Sequence, residues 1–136
     1  MKFMLIMTSP RDGYTQYMSW PKKILEANFA FMESFTRKLA DAGELVSTAG
    51  LAAPDQAKKV RAGKDGKPIT DGVFPESKEY LAGWWIVDVD RPERAYEIAA
   101  EASTAPGDRV VGPDGREIEH FWIEVRQIMD TREDMK

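Results

Sequence analysis

Two groupings of charged and aromatic residues are the places where this chain could do chemistry. The first is built from two extended segments. In the alternating run that ends near residue 128, Trp122, Glu124 and Arg126 fall on one strand face, opposite Phe121, Ile123 and Val125. In the run 80–89, Trp84 and Asp88 share a face with Tyr80, Ala82 and Ile86, while Trp85, Val87 and Val89 share the other. A guanidinium and carboxylates among indole rings are what a pocket for a small polar or anionic organic molecule requires. The same Glu124 and Arg126 can equally bridge two subunits or lie on an open strand, since ion-pair networks and sites look alike at this level. The second grouping is Arg61 with Asp71. A two-residue Asp65-Gly66 turn sets Arg61 opposite Thr70 and so beside Asp71. Arg61 and Asp71 are thus a second charged pair. Asp before Gly is also ordinary turn chemistry, its carboxylate bonded to nearby backbone.

Several chemistries are ruled out by what the chain lacks. It has no cysteine and one histidine, His120, so disulfides, thiolate nucleophiles and ordinary zinc centres are excluded. No nucleophile elbow accompanies His120, and a histidine at a strand entrance is a weak basis for haem ligation. The glycines at 63, 66 and 72 serve turns and lack the strand–loop–helix setting of a phosphate cradle. A net charge of −4 without any Lys/Arg-rich block argues against nucleic acid as a partner. The opening MKFMLIM is too short for a signal peptide or membrane span, which points to a cytoplasmic protein with no membrane association. No cofactor is called for.

The elements that must position these groups follow from periodicity. The 136 residues suit one domain, 1–136, around one core. Residues 3–8 form an apolar run expected as a central strand covered on both faces, and 9–19 a polar loop. Ser19 or Trp20 then caps a helix with Pro21 in its first turn, ending near Ala42 with Gly43 as its C′ residue. Ile24, Leu25, Phe31, Met32, Phe35 and Leu39 form its apolar side, and Glu33 with Arg37 an i,i+4 pair. Strands are expected at 44–51 and 80–89, with a hairpin of 57–61 and 68–71 between them. Asp90-Arg91-Pro92-Glu93 opens a second helix as a capping-box variant, with Ala95, Ile98, Ala99 and Ala102 facing inward. Residues 106–115 read as an exposed, mobile loop and 118–128 as the last strand. The order is β-α-β-(hairpin)-β-α-β, a ferredoxin-like α+β fold.

The stretch 60–90 resembles the YCII-related family, in particular its DGPF-type branch. Val60-Arg61, the turn Lys64-Asp65-Gly66-Lys67, Thr70-Asp71-Gly72-Val73-Phe74 and Glu76-Ser77-Lys78-Glu79 carry the likeness, with Val73 where the family has Pro. Glu124-Val125-Arg126 resembles the family's EVR-type ending. The resemblance implies the same fold and a homodimer whose sheets meet in a dimeric α+β barrel. It also implies acid–base chemistry at the barrel cleft, in which Asp71 could act as a general base and Arg61 as an anion clamp. Short YCII relatives carry a His–Asp dyad near the first strand and helix, whereas residues 9–20 here hold Asp12 and no His. The functional expectation is a cleft for a small polar or anionic organic molecule, with or without cofactor-free isomerase, lyase or dehalogenase-like activity. The alternative implied by the resemblance is a non-catalytic ligand-sensing or protein-docking module linked to sigma-factor regulation.

Overall fold

The computed structural model describes residues 1–72, 79–107, 110–111, 114–118, 121–130 and 132. Val73, Phe74, the 76–78 part of the motif, and His120 lie outside the described residues. Four strands form one antiparallel sheet in the order β2-β5-β1-β8: β1 Lys2–Ser9, β2 Leu45–Gly50, β5 Tyr80–Asp88 and β8 Ile123–Gln127. Two helices, α2 Lys22–Asp41 and α3 Pro92–Ala102, complete the ferredoxin-like α+β arrangement. A short helix α1, Gly13–Met18, precedes α2. The hairpin of β3 Lys58–Ala62 and β4 Pro68–Gly72 and the small pair β6 Val110–Val111 and β7 Glu117–Ile118 are separate two-stranded ladders.

Strand alternation sorts the core. Phe3 and Leu5 of β1 and Trp85 and Val87 of β5, with Val89 just beyond, bury one sheet face against Phe35 and Leu39 of α2 and Ala95, Ile98, Ala99 and Ala102 of α3. Leu5, Val87 and Ile98 are 0% exposed, and full burial of each such side chain stabilises by about 1.5–3 kcal/mol. The small alanines of α3 let that helix approach the sheet closely. β1 is central, as its apolar run predicts, yet Met4 and Ile6 on its other face are only half-buried.

The helix ends follow sequence with small shifts. α2 closes in a Schellman arrangement, with Gly43 at φ +72°, its N–H donating to Ala40 O at 3.0 Å and Glu44 N–H to Leu39 O at 3.0 Å. Pro21 is the N-cap rather than a first-turn residue, so neither Ser19 nor Trp20 caps α2. α3 is capped at Arg91 with no side-chain hydrogen bond, so the expected capping box does not form; Pro92 supplies the first helical residue instead. The predicted loop 106–115 contains β6, which pairs with β7 across a turn at Gly115, φ +79°. The expected final strand 118–128 is divided accordingly between β7 and β8. Among the described residues no helix is long and apolar enough to cross a membrane.

Candidate functional site

The sheet has two unlike ends. At one lie the start of β1, the start of β2 and the end of β5; at the other lie the end of β1, the end of β2 and the start of β5. A cavity of about 380 Å³ opens at the second end. Its wall comes from Met7 to Pro10 at the end of β1, from α1, from Trp20 and the middle of α2 (Asn28, Met32, Thr36), from Thr48 to Ala52, from the start of β5, from Ser103 to Pro106 after α3 and from Phe121 to Ile123. That volume is in the range of small-molecule sites.

Close backbone packing shapes this end. A Cβ on Gly83 would sit 2.8 Å from the carbonyl oxygen of Ala49 and 3.2 Å from the Met7 side chain, so only glycine lets β2 approach β5 here. A register shift between Met7 and Thr8 puts a bulge at Ala82, which re-aims the strand entrance. Gly107 lies against the indole of Trp20, where a Cβ would be 2.9 Å from the ring.

Asn28 holds the upper wall together. It lies on the apolar side of α2, only 5% exposed. Its Oδ1 accepts from the Tyr17 hydroxyl of α1 at 3.1 Å, and its Nδ2 donates to Pro106 O at 2.8 Å. One amide therefore ties α1 and the segment after α3 to α2. Tyr17 packs edge-on to Trp20, ring centroids 4.9 Å apart, and burial followed by the neighbouring Tyr14 raises its pKa above that of an ordinary phenol. Tyr17 is thus a hydrogen-bond donor at neutral pH.

Two donors in this wall stand out. The indole N–H groups of Trp20 and Trp84 are buried and have no hydrogen-bond partner among the described residues. A buried donor left unpaired costs about 1–3 kcal/mol. Among the described residues the cavity lining contains no Asp, Glu, Lys, Arg or His, and its ionisable side chains are Tyr14 and Tyr17. Three other hydroxyls of the wall donate to the protein: Thr8 Oγ1 to Glu79 Oε2 at 3.1 Å, Thr48 Oγ1 to Trp84 O at 2.9 Å, and Ser103 Oγ to Ala100 O at 2.7 Å.

The sequence-predicted residues are distributed as follows. Trp84 and Trp122 line the cavity, Trp84 half-buried and Trp122 94% exposed. Glu124 and Arg126 are exposed on β8, paired in register with Ile6 and Met4, with no ion pair among the described residues. The strand faces are as expected: Ile123 and Val125 pack on the core and Glu124 and Arg126 point away from it. Asp88 is at the opposite end of the sheet, 3.2 Å from the Met1 ammonium nitrogen.

Arg61 and Asp71 sit on the exposed β3–β4 hairpin, outside the cavity lining. Their expected neighbourhood is corrected by the register. Arg61 is opposite Ile69, and Asp71 is opposite Lys59, whose Nζ lies 4.0 Å from its carboxylate. The turn is longer than two residues. Gly63 N–H donates to Lys67 O at 2.8 Å and Gly66 N–H to Gly63 O at 3.0 Å, with Gly66 alone at positive φ in the turn. That is a three-residue loop with a Gly bulge, chosen because Asp65 keeps negative φ and caps Lys67 N–H at 3.0 Å. The Asp71 side chain is 83% exposed and accepts from Gly72 N–H at 2.8 Å, which is turn chemistry.

Tyr17, Trp20 and Asn28 were not singled out by sequence reasoning. The signal for Asn28 was present: position 28 falls in the stripe of Ile24, Leu25, Phe31, Met32 and Phe35, where a polar residue must be hydrogen-bonded.

A fold of this kind and a walled cavity at one sheet end define a ferredoxin-like α+β domain with a small-molecule-sized pocket. The YCII-related domain profile matches residues 1–108, and the chain belongs to that family. It is also similar to an uncharacterized protein of Rhizobium meliloti (strain 1021), 29% identical over 87 residues, 64% of this chain and 70% of that protein.

Proposed function

We propose that this YCII-related protein binds a small organic molecule in the cavity at the end of the sheet. The observation that carries the reading is a cavity of about 380 Å³ walled by apolar and aromatic side chains, Tyr17, Trp20, Trp84 and Phe121 among them. Apolar, aromatic walls with a few fixed polar groups are the usual make-up of such sites. Support for an acid–base reaction is thinner, because the ionisable groups of the wall among the described residues are two tyrosines. Support for an anionic ligand held by Arg61 or Arg126 is thinner too, since neither lines the cavity.

The proposal includes a homodimer. Its support is the sheet face away from the helices, where Met4, Ile6, Trp84 and Ile86 form a half-buried apolar patch bordered by Glu124 and Arg126. Such a patch is what a second copy would cover, burying at least ~1,000 Å² of total surface.

The test is a thermal-shift screen of small aromatic fragments of all three charge classes against wild type and Ala105→Phe, which fills the cavity from its wall. Fragments should raise the melting temperature of wild type and leave the variant unmoved. If no fragment stabilises wild type, or both proteins respond alike, the cavity is not a binding site.

A further inference from the structure

We infer that the cavity takes an extended ligand with a largely apolar body, whose outer part lies on a rim of Tyr14, Leu51, Leu81 and Trp122. This rests on the cavity being the binding site, and adds the chemical class of what it takes.

The four rim side chains each do two things at once. Each lines the cavity, and each is exposed: Tyr14 45%, Leu51 42%, Leu81 42% and Trp122 94%. The inner wall includes the buried rings of Trp20 and Trp85, so apolar surface continues from the interior out to the mouth. The rim comes from four segments far apart in the chain, and local structure seats its members. Tyr14 follows Gly13, which approaches Ser9 so closely that a Cβ would lie 2.7 Å from the Ser9 Cβ. The Gly13 N–H donates to Pro10 O at 2.9 Å, which starts α1 directly beside the end of β1. Leu51 is tied to the start of β5 by its N–H, which donates to Ala82 O at 2.8 Å. By alternation Leu81 would belong to the core-facing set of Trp85 and Val87. The bulge at Ala82 sets it opposite Thr8 instead, and so outward. Trp122 stands immediately before β8.

Two aromatic rings and two branched aliphatic chains attract through burial and dispersion, which are non-directional. The part of the ligand that covers them is therefore hydrocarbon, as ring or as chain. A molecule confined to the inner cavity would leave this rim in water. One that reaches over it removes apolar surface from water on both partners, and the Trp122 indole offers the largest share.

The test is a homologous series, 2-phenylethanol, 4-phenylbutan-1-ol and 6-phenylhexan-1-ol, titrated calorimetrically into wild type, Trp122→Ala and Tyr96→Ala. Trp122 is so exposed that its removal leaves the core packing untouched. Tyr96, 55% exposed on α3 and outside the cavity lining, controls for adhesion to surface aromatic groups. Wild-type affinity should rise by up to about fourfold per added methylene, the factor that burying one CH₂ supplies. In Trp122→Ala the shortest probe should bind as it does to wild type. The longest should bind about tenfold more weakly, the lower end of what burying a large apolar side chain gives. Tyr96→Ala should match wild type throughout.

The same gain along the series in wild type and Trp122→Ala would overturn the extended class, as would an equal loss for short and long probes. In both cases the cavity remains a binding site. Sedimentation equilibrium tests the rival occupant: a dimeric wild type that Trp122→Ala turns monomeric would assign the rim to a second copy and overturn the proposal. Failure of the whole series while fragments of the thermal-shift screen still bind would overturn the class alone. Failure of both would take the cavity reading with it.

Discussion

The two ends of the sheet solve the same problem in opposite ways. Where β1 and β2 begin and β5 ends, polar groups are closed off by partners. Glu44 takes a bidentate pair from Arg94 Nε and Nη2, both at 2.8 Å, and Arg94 also reaches Glu97 at 3.3 Å. The backbone there is stitched by Asp88 N–H to Glu44 O, Val89 N–H to Met1 O and Ile128 N–H to Lys2 O, each at 2.8 Å. Where β1 and β2 end and β5 begins, the described residues of the wall carry no charge, and two indole donors remain without partners among them. Folding stability is a small difference between large terms, so unmet donors persist only where the rest of the structure holds them. One end fastens the α3 helix to the sheet; the other leaves a cavity.

Breaking the cavity end at its fastening should have the largest effect. Asn28→Ala removes a buried amide and leaves both the Tyr17 hydroxyl and the Pro106 carbonyl unpaired. Two such groups at about 1–3 kcal/mol each predict a loss of roughly 2–6 kcal/mol in urea unfolding. A loss under 1 kcal/mol would mean that α1 and the segment after α3 hold their places without Asn28. Tyr17→Phe cuts one of the two bonds and should fall at about 1 kcal/mol.

Breaking the sealed end comes next. Arg94→Met strands the Glu44 carboxylate, whose side chain is 17% exposed, and should lower stability by about 1–3 kcal/mol. The Arg94 hydrogen bonds are the main cause of a depressed Glu44 pKa, with burial opposing and the Arg94 charge assisting. The sign of the pH effect follows. A carboxyl more acidic in the folded chain contributes its full stability above the ordinary carboxylate range, and that contribution drains away as pH falls through its lowered value. Wild type and Glu44→Gln should therefore differ most in melting temperature near pH 7 and converge towards pH 3. A gap that stays constant with pH would show that the pair acts through packing alone.

Much of this contrast was readable in the chain, and the unreadable part has a physical cause. The core strands, the inward alanines of α3 and the Gly43 helix end follow from period and glycine chemistry, which are local. The opposite faces of Trp84 and Trp85 follow from alternation. The cavity was not legible, because its wall is assembled from segments far apart in sequence. Trp20 looks like a loop or cap residue until Gly107 is placed against its ring. Residues 13–18 are too short a helix to show a period, so the segment reads as loop. The charged residues drew attention at sequence level because charge signals chemistry, yet Arg61, Asp71, Glu124 and Arg126 are exposed and Asp88 faces the Met1 ammonium.

The smallest expected effect sharpens the comparison on the open sheet face, between the two ends. Arg126 is exposed on β8, in register with Met4, and makes no ion pair among the described residues. An arginine in that setting contributes through its stem and its screened charge, so Arg126→Met should change folding stability by no more than about 0.5 kcal/mol. At the edge of the dimer proposed through Met4, Ile6, Trp84 and Ile86, it would be a rim charge. Rim charges tune association rate and salt dependence more than affinity. Sedimentation equilibrium at micromolar concentration should then show a dissociation constant within about threefold of wild type, and Ile86→Lys, at the centre of the patch, should give monomers. A drop of several kcal/mol in Arg126→Met would instead reveal a desolvated partner carboxylate from a second copy, the cost expected when a buried pair loses one member. The strand would then belong to the interface centre and not to its rim.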